Sequence, residues 1–173
     1  MPGLEDPNFF HAVTLICEHN EDGAMGIVIN RPMNVALGEV FMQLGLQWED
    51  KDSADQIVYA GGPVDTERGF VIHSAGGQWE SSLRVSDDVA VTSSRDILEA
   101  MSRNEGPEKA IVTLGYAGWG AGQLEQELAD NAWLNAEADP QLLFELPVDQ
   151  RWQQAAATMG VDLSRLSTDI GHA

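Results

Sequence analysis

The chain has 173 residues, 43% of them hydrophobic, which suits one packed core and is too apolar for a disordered segment. Lys and Arg total 9 against 28 Asp and Glu, a formal net charge of -19 that repels phosphate backbones and anionic lipid. With a single cysteine, Cys17, neither an intrachain disulfide nor a Cys-based structural zinc site can form.

Taken in chain order, Pro2, Gly3 and Pro7 make the opening a loop without the basic and apolar regions of a signal peptide. No stretch approaches the ~20 apolar residues of a membrane span, so a cytoplasmic protein is expected. Phe9 to Cys17 reads as a strand, Glu21-Asp22-Gly23 as a turn and Met25 to Ile29 as a second strand, together a hairpin that Arg31-Pro32 ends. Val35, Leu37, Val40, Phe41 and Leu44 recur at near-helical spacing, with Asn34 as N-cap and Gly45 as stop. Ile57 to Ala60 and Gly69 to His73 read as strands joined in a hairpin through a turn at Asp65-Thr66-Glu67-Arg68, and Val89 to Val91 as a further strand. Ser93 or Ser94 caps a helix carrying Ile97, Leu98 and Met101. Ala110 to Tyr116 is an apolar run that predicts burial on both faces. A glycine-rich turn, Gly118 to Gly122, then leads into a helix over Leu124 to Trp133. A last helix runs from about Asp149 to Met159, and the tail from about Leu163 reads as frayed. Strands and helices interleave without a βαβ rhythm, which predicts a mixed sheet in one domain spanning residues 1–173.

Seven segments share their order and spacing with a known family. They are Met1 to Phe10, Cys17-Glu18-His19-Asn20, Glu21 to Gly26, Asn30-Arg31-Pro32, Gly61-Gly62-Pro63-Val64, Gly69 to His73, and Gly115 to Glu125. In this the chain resembles the bacterial AlgH/YqgE family over essentially its whole length. The resemblance implies an α/β fold of the α+β type, a bifurcated mixed β-sheet folded into a pseudo-barrel and flanked by helices, in the bacterial cytosol. It implies no reaction, and the regulatory role in alginate synthesis behind the AlgH name specifies no molecular mechanism. Relatives usually carry a short segment before Met-Pro-Gly, where this sequence starts.

The residues that carry chemistry are few. Cys17 and His19 lie two apart on a strand and should project to one face, where an imidazole can draw the proton from a thiol. The acidic surroundings, Glu18 first, oppose a thiolate, and a free Cys usually packs as a small hydrophobe. Glu18 to Gly23 echoes a calcium loop, but the twelfth position is Ile29 rather than a bidentate Glu, and no metal site is expected. Gly118-Trp119-Gly120-Ala121-Gly122 lacks both the Gly-Lys-Ser/Thr ending of a P-loop and dinucleotide spacing, and Glu125 and Glu127 in the following helix would repel an anion. Arg31 is a planar cation on a short loop, fit to clamp a ligand's carboxylate or to tie down a local acid or carbonyl. His73, ending an apolar strand, reads as a satisfied, partly buried histidine.

The expected function is therefore a non-catalytic binding or regulatory module without a cofactor. Its loops, carrying Asn20, Asn30, Arg31, Gly62, Pro63 and Trp119, would present a surface to an unidentified protein or small ligand. One alternative is a thiol-based enzyme or redox sensor using Cys17 and His19. A weaker one is a transcriptional regulator acting by direct DNA contact, which the missing basic patch argues against.

Overall fold

The computed structural model describes residues 11–133, 135 and 139–158. Its organising element is the long strand β8, Ala110–Gly120. The other strands are β1 (Thr14–Asn20), β2 (Gly23–Val28), β3 (Pro32–Ala36), β4 (Ile57–Ala60), β5 (Val64–Ser74), β6 (Ser82–Arg84) and β7 (Val89–Thr92). One side of β8 is lined by β5, antiparallel. Its other side is divided, with β4 parallel at Thr113 and Leu114 and β2 antiparallel at Ala117 to Gly120. That division is the bifurcation of the sheet. The order β1-β2-β8-β5-β7-β6, with β3 attached through β4, curls into a nearly closed barrel that is antiparallel except where β4 meets β8.

The double-faced burial expected of β8 is present. Phe70, Ile72, Val89, Val91 and Ile111 point into one cluster with Leu15, Cys17, Ile27 and Ile29. Val71 and Val112, their neighbours in the chain, point the other way onto Leu37, Phe41, Ile97 and Leu98. Two-residue alternation on β5 and β8 thus builds an interior and an outer layer from the same strands. Helices α1 (Leu37–Gln43) and α3 (Arg95–Ser102) cover the outer layer. Helix α4, Gln123–Ala129, follows β8, and α5 (Pro140–Phe144) adds Leu142 and Leu143 to the interior cluster. A short α2, Lys51–Ala54, packs beside α1, and α6 runs over Arg151–Thr158.

Several sequence expectations need correction. Asp65 to Arg68 is part of β5, and β4 and β5 do not pair with each other but share β8. Pro32–Ala36 form β3, so Asn34 and Val35 lie within a strand rather than at the start of a helix. Helix α1 is capped from Ala36, whose N–H donates to the Glu39 carboxylate at 2.7 Å. Gly118 to Gly120 are strand residues, paired with Met25, Ala24 and Gly23, so the turn is confined to Ala121 and Gly122. Gly122 takes φ 76° at the start of α4, a left-handed conformation that glycine adopts without a Cβ penalty. The frayed tail expected from Leu163 and the helix end at Met159 lie outside the described residues.

Candidate functional site

The motif-bearing loops fall at two ends of β2. At its start, Asn20, Gly23, Ala24 and Trp119 are neighbours, since Gly23 pairs with Asn20 and Gly120, and Ala24 with Trp119. Past its end come Asn30 and Arg31, joined to the Ala60-Gly61 segment by the bonds Ala60 N–H to Arg31 carbonyl and Val28 N–H to Gly61 carbonyl, both 2.8 Å. Five residue steps at about 3.3 Å separate the two ends by roughly 17 Å. They are two places on the fold, and no single concave site gathers all six candidates.

The first end is consumed by structure. A β-bulge interrupts the β1–β2 register between Ile16 and Glu18 and skips Cys17. An extra residue inverts side-chain parity, so Cys17 points into the interior cluster while His19 stands opposite Ala24 on the other face. The expected shared face of Cys17 and His19 does not exist. His19 pairs instead with Glu125 on α4, both half-exposed. Cys17 is buried, donates through Sγ to the Leu15 carbonyl at 3.5 Å, and has its thiol pKa pushed up to about 12 by burial. Asn20 caps the hairpin turn, its Oδ1 accepting the Asp22 N–H at 2.8 Å. Trp119 is buried rather than presented on a loop, packed edge-on to Trp133 at 5.6 Å with Leu124 and Ala117 beneath. Both indoles donate to one oxygen of Glu127, at 3.4 Å from Trp119 and 2.9 Å from Trp133.

The second end is different. Asn30 is engaged at both ends of its amide, its Oδ1 accepting from Val13 N–H at 2.8 Å and its Nδ2 donating to the His11 carbonyl at 2.9 Å. Gly62 lies so close to β8 that a Cβ there would stand 2.2 Å from the Tyr116 carbonyl, and one on Gly61 would stand 2.3 Å from the Gly115 carbonyl oxygen. These glycines let two backbones touch, while Pro63 beside them is exposed. Arg31 is half-buried, and burial lowers the pKa of its guanidinium, yet that group has no hydrogen bond or ion pair to a described residue. The local tie-down considered for it is not made there.

Sequence reasoning missed Arg151. It opens α6, is 5% exposed, donates through Nη1 to the Ile29 carbonyl, and lies over the Tyr59 ring with its guanidinium carbon 5.1 Å from the centroid. Its Nε has no hydrogen-bond partner. Tyr59 pairs with Pro32, the residue after Arg31, so the two arginines belong to one neighbourhood. Trp152 stacks on His11 at 4.1 Å, and the His11 pKa is lowered by burial and in part by the charge of Arg31. One signal was available: an arginine in the first turn of a helix opposes the helix dipole, and α6 has no first-turn acid.

His73 is buried, as expected, with Nδ1 at 2.8 Å from the Ser74 carbonyl and Nε2 at 2.7 Å from Thr92 Oγ1. A carbonyl only accepts, so Nδ1 carries the proton and Nε2 accepts from the threonine. Burial lowers its pKa, and the Ser74 bond partly opposes that. Among the described residues no three His, Cys, Asp or Glu side chains gather as a metal site, and no helix is long and apolar enough to cross a membrane.

A family model described as AlgH-like (DUF179) matches residues 1–164. A UPF0301 protein of Thioalkalivibrio sulfidiphilus is 64% identical over all of this chain and 92% of its own length, and one of Nitrosococcus oceani 53% identical with the same coverage. The solution structure of the AlgH protein from Pseudomonas aeruginosa superposes with a TM-score of 0.81 at 49% identity, covering all of this chain and 92% of that one. A crystal structure of a Corynebacterium diphtheriae protein, 22% identical with a TM-score of 0.69, covers 88% of this chain and 80% of that one and shares the fold.

Proposed function

From the premise that the chain belongs to the AlgH-like family (UPF0301), we propose that it is a non-catalytic cytosolic binding module whose recognition surface is the Arg31 end of the barrel. One observation carries this reading: among the described residues Cys17, His19 and His73 are each committed to the fold, and the partly buried guanidinium of Arg31 is not. The Cys17 thiol is buried and protonated, His19 is held by Glu125, and His73 is held neutral between Ser74 and Thr92. Nucleophilic and acid–base catalysis both need a group whose proton moves near the working pH and which a substrate can reach. Arg31 moves no proton, and it suits fixed recognition of an anion.

The test exposes the purified full chain to a bacterial small-molecule extract and follows both retention on the protein and depletion of the pool by mass spectrometry. Retention of a compound up to about one equivalent, without change in its chemistry, supports the reading. Consumption over many equivalents that disappears in Cys17→Ser or Arg31→Gln overturns it.

A further inference from the structure

A guanidinium removed from water needs a counter-charge or a full set of acceptors, and leaving one of its N–H groups unmade inside the fold carries the whole desolvation cost of that group. Arg151 has one carbonyl, that of Ile29, and one aromatic face, that of Tyr59, and no carboxylate among the described residues. In a chain with 28 Asp and Glu against 9 Lys and Arg, a buried arginine without an acid is not a matter of supply. Four other cations do find acids: Arg84, Arg95, Arg103 and Lys109 each stand in an ion pair, and all four are exposed.

The geometry of the deficit is specific. Nη1 is occupied by Ile29, and the orphaned Nε belongs to the other edge of the same planar group, the edge through which an arginine takes both oxygens of a carboxylate. Arg31 brings the second cation. It follows the Asn30 that pins His11 and Val13, and its carbonyl is tied to Ala60. Its successor Pro32 stands opposite the tyrosine under Arg151. The His11–Trp152 stack, both residues partly exposed, ties the chain neighbour of Arg151 to a histidine whose pKa is lowered in part by the charge of Arg31. The positive end of α6, without a first-turn acid, adds to the same field.

Resting on the binding-module reading, we propose that Arg31 and Arg151 form a receptor for one carboxylate group of a ligand, entered past His11 and Trp152. The oxyanion lies along the Nε edge of Arg151 and is closed over by Arg31. A carboxylate fits better than a phosphate because it brings one negative charge, not about two, into a molecule already at -19. It also matches a planar fork with two coplanar oxygens. Two sources share this chemistry, a free organic acid and the C-terminus of a peptide chain.

The experiment uses the full-length chain labelled with nitrogen-15 and follows the Nε–Hε signals of Arg31 and Arg151 during titration. The probes are acetate, succinate, inorganic phosphate, and one tetrapeptide with a free and with an amidated C-terminus. Saturable movement of both signals with a carboxylate probe is expected. Arg31→Gln should weaken that binding about tenfold or more, and Arg151→Lys, which keeps the charge and loses the fork, by a similar factor. Thermal unfolding of each variant confirms that it is folded, and Arg31→Gln, the less buried position, serves if Arg151→Lys is not. Succinate binding without the free-ended peptide identifies a small acid, and the reverse identifies a chain terminus. The proposal is overturned if no carboxylate moves the signals, if phosphate alone does, if the amidated peptide binds as well as the free one, or if Arg31→Gln binds unchanged. Any of these leaves the binding-module reading to its own turnover test, and turnover there would not by itself remove a carboxylate from this site.

Discussion

Replacing Gly62 by alanine separates a structural role of the Gly61-Gly62 motif from a ligand-cradling one. At Gly62 φ is 154°, and an added Cβ would meet the Tyr116 carbonyl carbon and oxygen at 2.2 Å and the Ala117 nitrogen at 2.5 Å. All three are main-chain atoms of β8, which is held on both sides by other strands, so relief requires the crossing to open by about 1 Å. Gly45 provides a control, with φ 72° and nothing within 4 Å of an added Cβ. Alanine at Gly45 should cost about 1–2 kcal/mol for left-handed backbone alone. At Gly62 the same kind of strain combines with an overpacking cost of about 1–3 kcal/mol, for roughly 2–5 kcal/mol in all. Small domains have only about 5–15 kcal/mol of stability, so Gly62→Ala should be marginal at 25 °C. Urea unfolding followed by tryptophan fluorescence measures the difference between the two variants. If Gly62→Ala falls within about 1 kcal/mol of Gly45→Ala at equal slope, the two backbones are not in contact there and the argument fails.

The Cys17 thiol, with its pKa near 12, should be about one ten-thousandth ionised at pH 8, so a thiol-specific disulfide reagent should label the native chain only at the rate of its opening. Stoichiometric labelling within seconds, without denaturant, would contradict the burial. For His73 the folded pKa lies below the unfolded 6.5, so the unfolded chain binds the proton more readily. Its contribution is complete above pH 6.5 and declines as pH falls toward the folded value, by at most about 1.4 kcal/mol per unit. The stability difference between the parent and His73→Gln should shrink between pH 7.5 and 5, and a constant difference would refute the assignment. Glu127→Ala removes the acceptor shared by Trp119 and Trp133 and should cost about 1–3 kcal/mol with a shift in tryptophan emission, whereas an unchanged urea midpoint would show the shared oxygen to be dispensable.

Where local chemistry decides conformation, the sequence was readable. The Glu21-Asp22-Gly23 turn between two apolar runs is a hairpin, Ala110 to Tyr116 is buried on alternate faces, and Ser94 stands at the start of α3. Where pairing partners decide, it was not. The bulge at Cys17 is a property of two strands in register, and that one extra residue turned an expected Cys–His pair into a core thiol and a surface ion pair. Gly118 to Gly120 have the composition of a loop and become strand because β2 binds them. Gly69 to His73 resembled half of a hairpin because the strand standing between it and β4 is β8, which begins only at Ala110. Helices α2 and α5, of four and five residues, are too short to show a periodicity. Of the candidate site, only Arg31 was visible, because an arginine opening a helix of mixed polarity looks like solvent-facing charge until Tyr59 and Ile29 are seen around it.

The division of β8 also orders events during synthesis. Residues 23–26, 59–60 and 64–73 all wait for partners between 110 and 120, so more than two thirds of the chain must leave the ribosome before three separated segments can close their hydrogen bonds. Until then the inner edge of the first hairpin and the β8-facing edge of β5 have no partner strand, while the other edge of β5 can pair only with β7. Assembly dominated by such distant pairings is slow, and open edges invite association with other chains. The interval between emergence of residue 73 and residue 120 is therefore the period in which a nascent chain of this family most needs shielding, and substitutions in β8 should lower soluble yield more than equally buried substitutions in α3.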